Sequence, residues 1–389
     1  MSSTPTNKSS KKKKATFNTL QVSQVRALTD DSVEVSFAVP EDLRDDYDYV
    51  PGQYVALRAT IDGKEVRRSY SICDSPGGGV IRVGIKRDFG GVFSTWANTE
   101  LQVGDEIDVM NPQGAFTSQV HVTGLNNPQQ ISDEIEQITS PHLVAVAAGS
   151  GITPIMAIAQ SVLQQSSDAT FELIYGNKGG DSVMFAEEIG DLKDKYPTRF
   201  SVHHILSRQQ RPNPMFSGRI DEEKLNDLLD HVVQTEDVSE WFLCGPYELV
   251  QLVRRELEER EVADKAIRYE LFSTGKPTDG PRPDAGASVK EDPEGNNITV
   301  KFTLDGSSDS VQSPESAKET VLNAALRQRS DVPFACAGGV CGTCRAKVLE
   351  GEYEMEENFA LEKDEVEQGY VLTCQTRPTG NSITVDYDA

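Results

Sequence analysis

Between Phe17 and Thr123 apolar side chains recur at every second position. Val33, Val35, Phe37 and Val39 alternate with Glu34, Ser36 and Ala38, the period of a half-buried strand. Pro51-Gly52, Asp62-Gly63 and the run Gly77-Gly78-Gly79 cut this text into short pieces. Short strands joined by tight turns predict an antiparallel β-barrel over residues 16–124. The pattern then changes. Leu143–Ala148 is a continuous apolar run, as expected of a strand buried on both faces in a parallel sheet. Gly149–Pro154 turns from it into a helix, with Thr153 as N-cap and Pro154 at the first helical position. Further strands are predicted at 171–175, 200–206 and 241–243. Leu249, Leu252, Val253 and Leu257 mark one face of a later helix. Alternating strands and helices predict a parallel-sheet α/β domain over 142–273, with ligands outside the strands' carboxyl ends. Alternation restarts at Ile298, Val300, Phe302 and Leu304, and helical text follows around 317–329. That order predicts a third, small α+β domain over 297–389.

Three polar stretches separate or precede these blocks. Residues 1–15 read as a disordered tail, 125–141 as a connecting insertion, and the Pro/Gly/Asp-rich text at 274–296 as a linker. The chain has 389 residues, and its 37% hydrophobic content is enough for packed cores. With 62 acidic against 38 basic residues the net charge is -24. That charge disfavours nucleic acid and favours steering toward a basic protein partner. No apolar run approaches the roughly 20 residues of a membrane span. Lys11–Lys14 is followed by no apolar stretch, so a secretory signal is not expected. Only Cys73 and Cys244 lie outside one cysteine-rich segment, which points away from a disulfide framework and toward a cytoplasmic setting.

That segment is Cys336-Ala-Gly-Gly-Val-Cys341-Gly-Thr-Cys344, with Cys374 further on. C-x4-C-x2-C with a distant fourth cysteine is the spacing of a plant-type [2Fe–2S] ferredoxin. Gly338, Gly339 and Gly342 let the loop fold tightly around such a cluster. The third domain then reads as a β-grasp [2Fe–2S] ferredoxin domain with Cys336, Cys341, Cys344 and Cys374 as metal ligands. A cluster takes one electron at a time, whereas a hydride carries two, so a flavin is expected upstream. Arg68-Ser69-Tyr70-Ser71 offers a cation for a phosphate, an aromatic for the ring system and a hydroxyl for a ring nitrogen. Ile85, Lys86 and the turn Gly90-Gly91-Val92-Phe93-Ser94 offer a cationic, Gly-rich cradle for a pyrophosphate. Gly149, Gly151, Ile152, Thr153 and Pro154 open a helix whose N-terminus suits an anion. Cys244-Gly245-Pro246 ends another strand at the same sheet edge.

Taken together these segments resemble the ferredoxin-NADP⁺ reductase superfamily carrying a C-terminal plant-type ferredoxin domain, and within it the reductase components of oxygenases. The matching text runs from PGQYV at 51–55 and RSYS at 68–71 to AAGSGITPIM at 147–156, CGP at 244–246 and ELF at 270–272. The stretch HHILSRQQ to SGRID is most similar to reductase subunits of phenylacetyl-CoA epoxidase systems. Steroid 9α-hydroxylase and ring-hydroxylating oxygenase reductases, which would use NADH, are the alternatives. The resemblance implies an enzyme that passes electrons from NADPH through FAD and a [2Fe–2S] cluster to a terminal oxygenase or epoxidase. It implies catalytic roles for Ser71, Cys244 and Glu270, and a flavin-covering role for Phe272. Ser207 and Arg208, helped by Arg211 and Arg219, would meet the 2′-phosphate of NADPH, with NADH left open. A flavin and iron–sulfur redox-sensing protein is the reading from another class, and a stand-alone flavin reductase or diaphorase is a third.

Overall fold

The computed structural model describes residues 15–118, 140–233, 235–272, 295–329, 331–334, 336–361 and 363–389. The predicted tail, connecting insertion and linker fall almost wholly outside these residues.

The first block holds β1 (Phe17–Thr29), β2 (Ser32–Ala38), β3 (Tyr54–Ile61), β4 (Lys64–Ser71), β5 (Val80–Lys86), α1 (Val92–Thr99) and β6 (Glu106–Met110). The strands pair antiparallel in the order β4-β3-β6-β1-β2-β5. Val35, Phe37, Leu57, Val83 and Ile85 fill the interior, so the alternation of the sequence is the inward face. The polar face of β2 is not solvated as the period-two pattern predicts. Ser32, Glu34 and Ser36 are buried as well. The reason is a neighbour: Arg26, beside Glu34 on β1, also pairs with Glu188 of the second block.

The second block holds β7 (His142–Ala148), α2 (Ile152–Gln165), β8 (Thr170–Asn177), α3 (Ala186–Lys195), β9 (Phe200–Leu206), α4 (Glu222–His231), β10 (Glu240–Gly245), α5 (Tyr247–Glu259) and β11 (Ile267–Leu271). All its strands are parallel, in the order β11-β10-β7-β8-β9. The stripe read on α5 divides in two. Val253 and Leu257 join the core, while Leu249 and Leu252 are half-buried and line a cleft. The two blocks meet closely where β5 crosses α2: a Cβ on Gly84 would fall 2.7 Å from Thr153 Cγ2.

On the other face of this sheet Glu172 of β8 stands between two imidazoles. His203 Nε2 is 2.7 Å away and His142 Nε2 is 3.6 Å away, just beyond hydrogen bonding. Burial alone would raise this carboxyl, but its imidazole partners outweigh burial and hold it down at about 2. A depressed carboxyl adds stability above its ordinary value and loses it as pH falls through the folded value. The wild type is therefore expected to exceed Glu172→Gln in stability above pH 4.5, with the difference vanishing as pH falls toward about 2. Acid unfolding of both forms followed by circular dichroism checks this. Equal acid profiles would show the pair to be inert.

The third block holds β12 (Asn297–Leu304), β13 (Ser307–Pro314), α6 (Val321–Gln328), β14 (Arg345–Met355), α7 (Lys363–Glu367), β15 (Tyr370–Leu372) and β16 (Thr376–Asp386). Its mixed sheet runs β13-β12-β16-β14-β15. Val300, Phe302 and Leu304 bury one face against α6, which starts after a Thr320 cap. Among the described residues no helix is long and apolar enough to cross a membrane.

Candidate active site

Strand order reverses between β7 and β10, with β8 and β9 on one side and β11 on the other. The crevice at such a point, outside the carboxyl ends of the strands, is where open parallel sheets bind ligands. Two turns are packed into it. A Cβ on Gly151 would fall 2.1 Å from the Cys244 carbonyl oxygen and 2.8 Å from Gly245 N. This contact draws Gly149–Gly151 into a 3-10 turn, and α2 starts at Ile152 with Gly151 as its cap. The cap expected at Thr153 thus lies two residues earlier. Thr153 sits inside the first turn and donates its hydroxyl to Ser150 O at 3.0 Å.

The facing wall is the end of β4. Tyr70 leans on Phe93, with ring centroids 5.7 Å apart, and Phe93 meets Trp96 edge-on. The first turns of α1 thereby fix the tyrosine. Beside it the turn 88–94 closes on itself: Asp88 N–H donates to Ser94 Oγ at 3.1 Å, and Gly91 N–H to Asp88 O at 3.1 Å.

Between the walls lies a cavity of about 780 Å³, inside the range of roughly 300–1,000 Å³ typical of cofactor sites. Of the residues singled out in the sequence, Arg68, Ser69, Tyr70, Ser71, Lys86, Gly149, Thr153, Ser207, Gly245, Pro246 and Phe272 line it, as does Arg219. Ile85, Phe93, Ile152, Pro154 and Cys244 are buried in the cores behind it. Gly90, Gly91, Val92 and Ser94 form the turn beside it. Burial pushes the Cys244 thiol well up, so the thiol is neutral there, and the Cys244 carbonyl packs against Gly151. Arg208 lines neither this cavity nor the smaller one; its backbone N–H donates to Lys178 O. Lys178 lines the cleft as well, just past the end of β8, and its own neighbours in sequence give no signal for it.

A smaller cavity of about 80 Å³ adjoins the first, with Arg68, Ser69, Ser71 and Phe272 lining both. Arg68, Ser69, Ser71, Glu270 and Phe272 form one side, and Tyr54, Cys336, Val340 and Cys341 the other. Ser71 Oγ donates to Glu270 Oε2 at 2.8 Å. Burial pushes the Glu270 carboxyl up to about 7, the Ser71 bond opposes this, and the nearby Cys341 adds to it. A carboxyl held near neutrality beside a hydroxyl is able to take up or release a proton through it.

The ferredoxin-type loop thus faces the flavin-type wall. Gly339 and Gly342 take positive φ of 77° and 69°, which other residues adopt only with strain. Gly338 N–H points at Cys336 Sγ at 3.3 Å and Cys336 N–H at Cys341 Sγ at 3.5 Å. The thiols fall into two neighbouring pairs, Cys336 with Cys341 and Cys344 with Cys374, and none forms a disulfide. Among the described residues no three or more His, Cys, Asp or Glu are grouped around a single metal ion. Two pairs of thiols instead suit two irons held by two sulfurs each, and backbone N–H groups aimed at sulfur fit the thiolates such a cluster requires.

Three protein-family models match the chain: an oxidoreductase FAD-binding domain at residues 19–118, an oxidoreductase NAD-binding domain at 145–255 and a 2Fe-2S iron-sulfur cluster binding domain at 302–379. The chain is 40% identical to a subunit of the 1,2-phenylacetyl-CoA epoxidase of Escherichia coli (strain K12), over 96% of this chain and 98% of that one. It is 32% identical to the ferredoxin reductase component of 3-ketosteroid-9-alpha-monooxygenase of Rhodococcus rhodochrous, over 95% and 96% of the two chains. The fold is that of phthalate dioxygenase reductase, with a TM-score of 0.54 at 18% identity over 95% of this chain and 98% of that one. Fold and site define an oxidoreductase with flavin, NAD(P) and [2Fe–2S] modules. The chain belongs to the ferredoxin-NADP⁺ reductase superfamily, among the reductase components that pass electrons from NAD(P)H through FAD and a [2Fe–2S] cluster to an oxygenase.

Proposed function

We propose that this reductase uses NADPH to serve an epoxidase complex acting on a phenylacetyl-CoA-like thioester, in the cytoplasm. The wall shared by the two cavities carries the reading of an electron path, because it puts the Ser71–Glu270 pair beside both the large cleft and the Cys336–Cys341 pair. Arg68, Ser69, Tyr70 and Ser71 would hold the flavin ring and its phosphate, with Lys86 and the turn 90–94 supporting the pyrophosphate of FAD. Gly149, Gly151 and Thr153 would bring the helix N-terminus to the nucleotide, with Gly245 and Pro246 beside the nicotinamide and Phe272 over the flavin. Cys336, Cys341, Cys344 and Cys374 would hold the cluster. When bound, FAD takes up two electrons as hydride and the cluster carries them away singly. Ser71 would hold its hydroxyl toward the flavin's reactive nitrogen, and Glu270 would supply or take the proton through it. The walls of the cleft would hold the nicotinamide against the flavin, and such positioning is most of what hydride transfer asks of a protein.

Lys178, Ser207 and Arg219 support the choice of NADPH, because they put two cations and a hydroxyl at one end of the cleft. A hydrogen bond to a charged group contributes about 1.5–3 kcal/mol, or roughly 10–100-fold in affinity. Arg219→Ala is accordingly expected to lower kcat/KM for NADPH by about that factor and to leave NADH unchanged. The test is anaerobic titration of the wild type and Arg219→Ala with each nucleotide, followed by absorbance from the flavin and cluster bands. Wild-type bleaching by NADH at lower concentration than NADPH would overturn the NADPH assignment. A partner assay with a steroid-oxygenase terminal component decides the substrate class: faster reduction of that component than of an epoxidase complex would move this reductase to the steroid branch.

A further inference from the structure

Tyr54 opens β3 of the barrel, yet its hydroxyl leaves the barrel altogether. The side chain is 4% exposed. Its O–H donates to the Cys341 carbonyl, and its oxygen lies 2.8 Å from Thr343 Oγ1. Thr343 Oγ1 in turn lies 3.1 Å from Cys341 Sγ. One chain of hydroxyls therefore runs from the flavin barrel to a thiol of the cluster loop. A second contact holds the two blocks in the same register: buried Arg67 donates to Val332 O at 3.4 Å and lies over the Phe334 ring, 4.5 Å from its centroid.

A proton count fixes the direction of this chain. Each hydroxyl has one proton. A cysteine sulfur that ligates a metal is a thiolate and has none to give, so Thr343 is the donor in its contact with Cys341. A charged sulfur outcompetes the neutral phenol oxygen for that proton, because charge-assisted hydrogen bonds are roughly twice as strong. The Tyr54 proton then goes to the Cys341 carbonyl, or to Thr343, where it strengthens the bond to sulfur. In both arrangements the barrel brings a positive dipole end to Cys341, one of the residues that would hold the cluster. Hydrogen bonds at the ligands are one of the levers that set a cluster's reduction potential.

We propose that Tyr54 is a cross-domain positioning residue whose hydroxyl, delivered only in the docked arrangement, makes the bound cluster a better electron acceptor there than when the ferredoxin domain stands free. The proposal rests on the assignment of the four cysteines as cluster ligands. By linkage the same factor favours docking of the reduced form over the oxidised one.

The test is a dye-mediated potentiometric titration of the full holoprotein, with the cluster read by electron paramagnetic resonance. Tyr54→Phe keeps the ring and removes one proton from the barrel, not from the ferredoxin domain. It is expected to shift the cluster's reduction equilibrium about tenfold toward the oxidised form, which is ~59 mV for a one-electron couple, with iron and FAD content as in the wild type. Arg67→Met loosens docking without touching the hydroxyl chain. It is expected to shift the cluster in the same sense, and Tyr54→Phe on that background to add less than it does alone. An unchanged cluster potential in Tyr54→Phe overturns the proposal, as does full additivity of the two substitutions. Should Tyr54→Phe fail to load its cofactors, an unchanged potential in Arg67→Met overturns it instead. Failure of the ligand assignment is distinguishable, because the wild type itself would then lack iron and the cluster signal.

Discussion

Replacing Cys374 with serine is expected to leave bleaching of the flavin by NADPH intact and to cut electron delivery to a protein acceptor by more than about 100-fold. Loss of an outer-shell partner alone costs a metal site roughly 10–100-fold, and Cys374 supplies one of the four sulfurs directly. The position separates the two half-reactions cleanly. Cys374 is 5% exposed in the core of the third block, beside Cys344 and under Leu372 and Val385. It lines neither the large cleft nor the smaller cavity. Stopped-flow absorbance with NADPH reports the first half-reaction, and anaerobic reduction of a cytochrome or of the terminal oxygenase reports the second. Undiminished acceptor reduction would mean that electrons leave from the flavin itself, the behaviour of a stand-alone diaphorase.

The second large effect belongs to Gly151→Ala. The added methyl would stand 2.1 Å from a carbonyl oxygen and 2.4 Å from its carbon, a separation no real pair of atoms tolerates. Both atoms are backbone, in a strand end that pairs with β7 and β11, so neither can swing aside. The β7 turn must move instead, taking the start of α2 with it. The expected outcome is a fall of at least about 100-fold in the rate of flavin bleaching by NADPH, since misplacement by about 1 Å costs that much in a positioned reaction. FAD and iron content are expected to stay at wild-type levels, because the barrel and the cysteine loop are untouched. Retained hydride transfer at the wild-type rate would show that the nucleotide does not use this crevice.

The three-block architecture could be read from period alone. The alternation along Val33–Val39, the unbroken run Leu143–Ala148 and the restart at Ile298 each mark a different kind of sheet, and each proved to lie in one. Local spacing also singled out Cys336, Cys341, Cys344 and Cys374, which the structure brings together in two pairs. Contacts between blocks could not be read. Tyr54 sits inside a quoted segment, but nothing in its neighbours says that its hydroxyl reaches Thr343, 289 positions away. Lys178 and Arg219 share one end of the cleft only because β8 and the segment after β9 lie side by side. The polar face of β2 was misread for the same reason, since the element that covers it comes from another block. The cap at Thr153 was misplaced because the β10 backbone, absent from any local window, tightens the turn before it.

The thiols are not equally placed with respect to the outside. Cys344 and Cys374 are walled into the core of their own domain, whereas Cys336 and Cys341 reach its boundary and meet the barrel there. Were charge to leave through the face by which it enters, the barrel would stand in the way while loading, and a change that loosened its grip on the loop would slow filling while it sped emptying. Such a machine has an optimum grip, neither tightest nor weakest.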